Sequence, residues 1–444
     1  MLHIHNAELK PLIKDNYTLD EIHAISELLH QKGTFDFPRL ENGLFSAAAT
    51  TEGNDYTGYN NVWLRDNIHV AYAHYITGEI DVAVKTVQTL KKFYKTHRHR
   101  IEQIVRGELD PADPMNRPHV RFNGSELEEN DEKWAHAQND ALGILMWLYS
   151  MMAHEGHIYP QKEDLELLGL LVLYLQTIGF HEDEDSGHWE ETRKVNASSI
   201  GMVTAGLQGM HQLLYEKLGM IQVSVGEWNV VNHVVEDEIK LGLDSLYAIL
   251  PSECVQDDPA KSRRYDASLL FLLFPTQVVE GELAEKIVAD VTENLQGDYG
   301  IRRYLGDSYW CADYRAKMSE EVRTTDFSDD MSERDALLAE GEEAQWCIFD
   351  PTLSSFYGLR FHETHEEGAL ASQTEYLNRS LGQITGEDCQ FGAFKCPESY
   401  FLEDGKYVPN DVTPLLWTQA NLKVALHMMQ RSISENEVGG GKVS

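Results

Sequence analysis

Apolar residues recur at three- and four-residue intervals along most of this 444-residue chain, and that helical period limits what it can fold into. The first segment carries the full pattern. Thr18 is placed to cap a helix while Glu21 reaches back to it, a capping box. Ile22, Ile25, Leu28 and Leu29 then fall on one face, and Gly33 supplies a left-handed stop. Comparable segments run over 66–78, 81–98, 138–154, 162–178, 195–219, 228–249, 266–274, 283–296, 343–359, 366–384 and 414–433. With the first, they predict about twelve helices. Strand-like alternation is sparse and concentrates between Phe35 and Val62.

Twelve helices of similar length admit few arrangements. A solenoid would show a period in the sequence, and none is visible. Two concentric rings of six, the (α/α)6 barrel, need no repeat. The expectation is therefore an all-α (α/α)6 barrel with short β-hairpin insertions, forming a single domain over residues 1–434. No Pro/Gly/Ser-rich linker interrupts that span, and the polar, Gly-rich stretch Glu435–Ser444 reads as a flexible tail.

Composition narrows the partners. The chain has 42% apolar residues, enough for a packed core, and 73 acidic against 37 basic residues give a formal charge of -36. Such a surface repels phosphate backbones and anionic lipid headgroups, so neither nucleic acid nor membrane is expected as a partner. It says nothing against a neutral ligand such as a sugar. The cysteines are Cys254, Cys311, Cys347, Cys389 and Cys396, an odd number without a CxxC pair. Neither a disulfide framework nor a thiolate metal site is indicated. The first residues lack the basic flank and apolar core of a signal peptide, and Leu167–Leu175 is too short to cross a bilayer. A cytoplasmic location is expected.

In such a barrel the loops at one end can converge on a pocket, and the unusual residues of this chain sit in loops. Trp189-Glu190-Glu191 stands just before the helix predicted near Val195. An aromatic wall beside a carboxyl group disfavours its ionised form and can raise its pKa toward that of a useful acid. The bland alternative is a solvated acidic loop anchored by a tryptophan. Tyr59 to Asp66 reads YNNVWLRD and puts Trp63, Arg65 and Asp66 at the mouth of the second helix. Sugar recognition needs an apolar platform and charged groups that bind hydroxyls in fixed geometry. Asp66 could equally be a dipole-favoured acid at a helix start. Three further loops have the same character: WAHAQND at Trp134–Asp140, IRRYLGDSYW at Ile301–Trp310, and CPESYF around Glu398.

Taken together, these segments resemble the glucoamylase-like glycoside hydrolases, family 15, and within them the branch that includes the N-terminal region of phosphorylase kinase α and β subunits. The motifs run in the family's order from about Trp63 to Ala420. The resemblance implies that Trp63, Arg65 and Asp66, a W-x-R-D motif, hold the non-reducing sugar, and that Tyr59 supports the developing positive charge. It makes Glu190, first glutamate of the W-E-E motif, the general acid. Trp189 precedes it, and Glu191 would bind nearby hydroxyls. Arg303 would bind the sugar, Trp134 would wall the leaving-group side, and Glu398 would be the general base. The departures are the lack of a separate β-sandwich or starch-binding module and an insert, Ala312–Glu342, closer to the phosphorylase-kinase branch.

The implied reaction is hydrolysis of an α-linked glucoside from its non-reducing end with release of β-glucose, without metal or cofactor. Inverting glycosidases hold their two carboxyl groups roughly 6.5–9.5 Å apart, leaving room for a water. Two other readings remain open: a non-catalytic carbohydrate-sensing protein, and a sugar phosphorylase on the same barrel. The linkage, the chain length of the substrate and the oligomeric state are not encoded in these motifs.

Overall fold

The computed structural model describes residues 3–49 and 57–440. The first helix forms as its sequence dictates. Leu19–Gln31 starts at a Thr18–Glu21 capping box and ends before Gly33, whose φ of 74° lies in the left-handed region.

Six segments close an inner ring by packing side by side in sequence order: Leu64–Ile76, Asn139–His154, Ala197–His211, Ala267–Leu272, Phe349–Thr364 and Leu416–Gly440. Outside them lie Leu19–Gln31, Ile80–Thr96, Lys162–Ile178, Asn232–Ile249, Gly281–Asn294 and Glu367–Gly382. The expected (α/α)6 barrel is thus the fold, and sequence pattern separates its two rings. Inner helices are buried on all sides, as in Leu64–His74, where every residue is buried. Outer helices bury one stripe, as Ile80–Thr96 does with Val87, Leu90 and Phe93. Close approach within the inner ring depends on glycine. A Cβ on Gly143 would lie 2.5 Å from the backbone of Met202 and Val203.

The differences from expectation are local. The segment read as a helix over 266–274 is a 3-10 turn, Ala267–Leu272, ended ahead of Pro275, which disfavours the helical conformation in the residue before it. The helix predicted to begin at 228 begins at Asn232, because Trp228–Val231 pairs with Gln222–Val225 as a hairpin. Arg98–Val105, beyond the predicted segment 81–98, is a further helix that buries Ile101 and Ile104. The last helix continues to Gly440, past Glu435 where a tail was expected to begin. Of the strand-like stretch Phe35–Val62, the structure forms only isolated bridges at Arg39–Phe45 and Ala48–Leu415 and the start of the strand Val62–Trp63. Residues 50–56 of that stretch lie outside the described residues.

Two small sheets position the pocket loops. Val62–Trp63 pairs antiparallel with Arg121–Asn123, which pairs with Glu128–Glu129. Gln345–Trp346 pairs with Ser399–Glu403, which pairs with Lys406–Pro409. No described helix is long and apolar enough to cross a membrane. The five cysteines are unpaired thiols.

Candidate active site

One pocket opens at the end of the barrel where the inner helices begin. Trp63 directly precedes the inner helix Leu64–Ile76, Glu190 stands in the loop before Ala197–His211, and Glu398 precedes the strand Ser399–Glu403. Five indoles wall it: Trp63, Trp134, Trp189, Trp346 and Trp417. Trp63 and Trp134 meet edge to face, with ring centroids 5.8 Å apart, and the Arg121 guanidinium covers Trp134 at 4.0 Å. The Trp189 indole is fixed from behind by Asp266, which accepts its N–H at 2.9 Å.

Glu190 has a φ of 58°, a left-handed conformation uncommon for a residue with a side chain. Such backbone persists where surrounding contacts enforce it. The Glu191 N–H bonds to Ser186 O at 3.2 Å and holds the turn closed. The Glu190 carboxyl is then aimed at the helix mouths, where its Oε1 accepts from Trp63 Nε1 at 2.9 Å and from Gln138 Nε2 at 3.0 Å. Burial pushes its pKa up, against the pull of Arg65 and of these donors.

Glu398 comes from the segment just before the strand Ser399–Glu403. Its N–H donates to Val412 O at 3.0 Å and its carbonyl accepts from Cys347 N at 2.9 Å, so the short sheet sets its place. The carboxyl is buried at 2% exposure. Its Oε1 accepts from the Tyr59 hydroxyl at 3.0 Å and its Oε2 from Asn410 Nδ2 at 2.5 Å. Burial raises it to about 8, despite both donors. Tyr59, itself buried beside Glu398, is pushed well above its ordinary value and stays protonated.

Arg65 and Asp66 share the first turn of Leu64–Ile76 but differ in state. Arg65 is held by Asp140 at 2.7 Å and by Gln138 Oε1 at 2.7 Å. Burial raises Asp66 to about 7, with Glu190 adding to the rise and Arg65 opposing it. Arg303 forms a bidentate pair with Asp307 at 2.6 and 2.5 Å, and its guanidinium lies 4.8 Å from the Trp346 ring.

Nine of the ten residues singled out from the sequence thus line one pocket: Tyr59, Trp63, Arg65, Asp66, Trp134, Trp189, Glu190, Arg303 and Glu398. Glu191 does not. Its Oε2 accepts from Arg263 at 2.8 Å, and its Oε1 takes the Tyr304 hydroxyl with Arg303 at 3.6 Å and Arg334 at 3.7 Å. Burial pushes Glu191 up, but these cations outweigh it and hold the carboxyl at about 2. Glu191 thus anchors a cluster of cations beside the pocket lining. Sequence reasoning missed Gln138, Tyr309, Trp346 and Asn410 as participants, and the insert's contribution of Asp326, Phe327 and Arg334. Gln138 was within reach, since it stands inside the WAHAQND motif.

The model of the glycosyl hydrolases family 15 matches residues 29–333, more than half of the chain. The chain belongs to glycosyl hydrolase family 15. The match includes Glu190, and Glu398 lies beyond it. Among curated family-15-like sequences, the regulatory α subunit of phosphorylase b kinase from rabbit skeletal muscle is 32% identical over 189 residues, covering 40% of this chain and 14% of that protein. A probable counterpart from Drosophila melanogaster is 26% identical over 426 residues, covering 86% of this chain and 31% of its own length. The chain therefore spans under a third of these relatives. Among solved structures, a glycosidase superposes with a TM-score of 0.65 at 16% identity, over 93% of this chain and 97% of its own. The glucoamylase of Hormoconis resinae gives 0.56 at 12% identity, over 93% and 73%. At such identities these likenesses speak for the shared barrel fold alone.

Proposed function

We propose that this pocket hydrolyses an α-linked glucoside from its non-reducing end with inversion, Glu190 acting as general acid and Glu398 as general base. The observation that carries the reading is the environment of the two carboxyls, which line one aromatic pocket and are held by different partners. Glu190 Oε1 is occupied by the Trp63 and Gln138 donors, so a proton sits on Oε2, free to pass to the departing glycosidic oxygen. Glu398, ionised, would take a proton from the attacking water, with Tyr59 and Asn410 fixing its orientation.

Arg65, Asp66 and Arg303 would bind the terminal glucose, and Trp63, Trp134 and Trp189 would pack against sugar faces. Asp140 and Asp307 hold the two arginines rigid, which favours hydrogen bonds that strengthen as the ring flattens. Residues 1–434 would act as a single catalytic unit in the cytoplasm.

A second reading follows from the curated relatives, which are regulatory subunits. In it, the same pocket binds a glucoside without cleaving it. Turnover separates the two. Incubation with α-linked disaccharides and maltooligosaccharides should release glucose, and Glu190→Gln should abolish release while sugar binding persists. Binding without release by the unaltered protein would favour the regulatory reading.

A further inference from the structure

The insert Ala312–Glu342 has no part in the scheme above, yet Asp326, Phe327 and Arg334 from it line the pocket. We propose that the insert builds the leaving-group subsite, with Asp326 accepting from, and Arg334 donating to, hydroxyls of a second sugar. The inference rests on the glucosidase reading and names the class of leaving group.

Among the residues that line this pocket, Trp134 Nε1, Asp326 Oδ2 and Arg334 Nη2 are buried without a hydrogen-bond partner, as are Trp346 Nε1 and Trp417 Nε1. Buried polar groups are nearly always paired, so unpaired atoms gathered in one pocket point to a ligand that pairs them. The side chains of Asp326 and Arg334 are only 6% and 8% exposed. Each is already held by its other end. Asp326 Oδ1 accepts from Ser328 N at 2.8 Å, and Oδ2, which has no hydrogen-bond partner, stands 3.5 Å from Lys133 Nζ and keeps a side for the pocket. Arg334 Nε donates to Ser308 Oγ at 3.1 Å, and its guanidinium lies between the rings of Tyr309 and Phe327, 5.7 and 5.5 Å from their centres. The nearest carboxylate to its Nη2, Glu191 Oε1, is 3.7 Å away, too far for a hydrogen bond.

The insert is fixed at its root and tied at its tip. Arg323 donates to Met318 O and Arg315 O at 3.0 and 2.8 Å. Lys133, beside Trp134, reaches Asp329 at 2.5 Å and stands 3.5 Å from Asp326. The subsite is therefore continuous with the Trp134 wall. One acceptor and two donors are the kinds of partner that sugar hydroxyls, each donor and acceptor, can satisfy. An apolar leaving group would leave all three atoms unpaired, and a site built to bond hydroxyls rejects ligands lacking them.

The test compares α-linked glucose disaccharides with α-glucosyl fluoride, whose leaving group carries no hydroxyls, using the full chain and Asp326→Ala. The kcat/KM ratio of disaccharide to fluoride should fall about 10- to 100-fold in the variant, the range for losing a hydrogen bond to a charged group. Asp326→Asn, which keeps an acceptor and the side-chain shape, should recover part of it and serves if Asp326→Ala does not fold. An unchanged ratio in both variants overturns the proposal. If the unaltered protein cleaves neither substrate, the hydrolytic reading fails, and calorimetry then reads the subsite alone. The protein should bind disaccharide more tightly than glucose, and Asp326→Asn should narrow that difference. Equal affinity for the two sugars, or no binding of either, also overturns the proposal.

Discussion

Trp63 and Glu190 are joined by a hydrogen bond of 2.9 Å from the indole N–H to Oε1. Gln138 donates to the same oxygen at 3.0 Å, and its own carbonyl oxygen accepts from Arg65. The Arg65 contact fixes which way the Gln138 amide faces, because a guanidinium can only donate. Arg65 and Glu190 are thus coupled through one amide, and Oε2 of Glu190 is left free of these two donors.

Removing the indole donor should weaken that control. Trp63→Phe keeps the aromatic wall but deletes a bond that favours the ionised form of Glu190. Its pKa should rise, the alkaline limb of the kcat/KM profile should move upward, and kcat should fall about 10-fold. A profile that superposes on the native one would mean that the bond does not govern the acid.

The base sets the other limb. Glu398 must be ionised to act, and burial places its pKa at about 8. kcat/KM should therefore rise as pH increases through about 8, giving an optimum on the alkaline side of ordinary carboxylate enzymes. An acid limb near the ordinary glutamate value would show that Glu398 does not titrate as the base.

Glu191 links the site to stability. Its folded pKa of about 2 is below the ordinary glutamate value of 4.5, so its contribution is complete above about 4.5 and is lost as pH falls toward 2. Glu191→Gln leaves Arg263, Arg303 and Arg334 facing one another without their carboxylate. Loss of one partner of a buried ion cluster costs roughly 3–5 kcal/mol. Urea unfolding at pH 7 should show that loss, and the gap between variant and native should narrow in acid.

Packing of the inner ring can be tested at Gly143, where a Cβ would sit 2.5 Å from the Met202 backbone. Gly143→Ala should destabilise the barrel by about 1–3 kcal/mol, since a helix backbone cannot yield as a flexible side chain does. A melting temperature equal to the native one would show that the helices can part.

Much of this site was legible because its residues are clustered along the chain. Trp63, Arg65 and Asp66 lie within four positions, and Glu190 stands beside its tryptophan. The helical period likewise revealed the barrel, since each outer helix marks its buried stripe. What was hidden depends on pairing between distant segments. Asp140 and Asp307 gain meaning from the arginines they hold, and Asn410 from a hairpin whose four- and five-residue strands are too short to announce themselves. The ion pairs of Glu191 were hidden for the same reason, since Arg263 and Arg334, distant in sequence, meet its carboxylate in space. The insert was visible as an insert, but nothing in its local pattern says that Asp326 turns into the pocket.

The most direct test of the central claim is the anomeric form of the glucose released from an α-linked disaccharide, followed by proton NMR in the first minutes of reaction. The account predicts β-glucose from the native protein and none from Glu398→Gln. α-Glucose as the first product, or undiminished release by the variant, would contradict an inverting mechanism with Glu398 as its base.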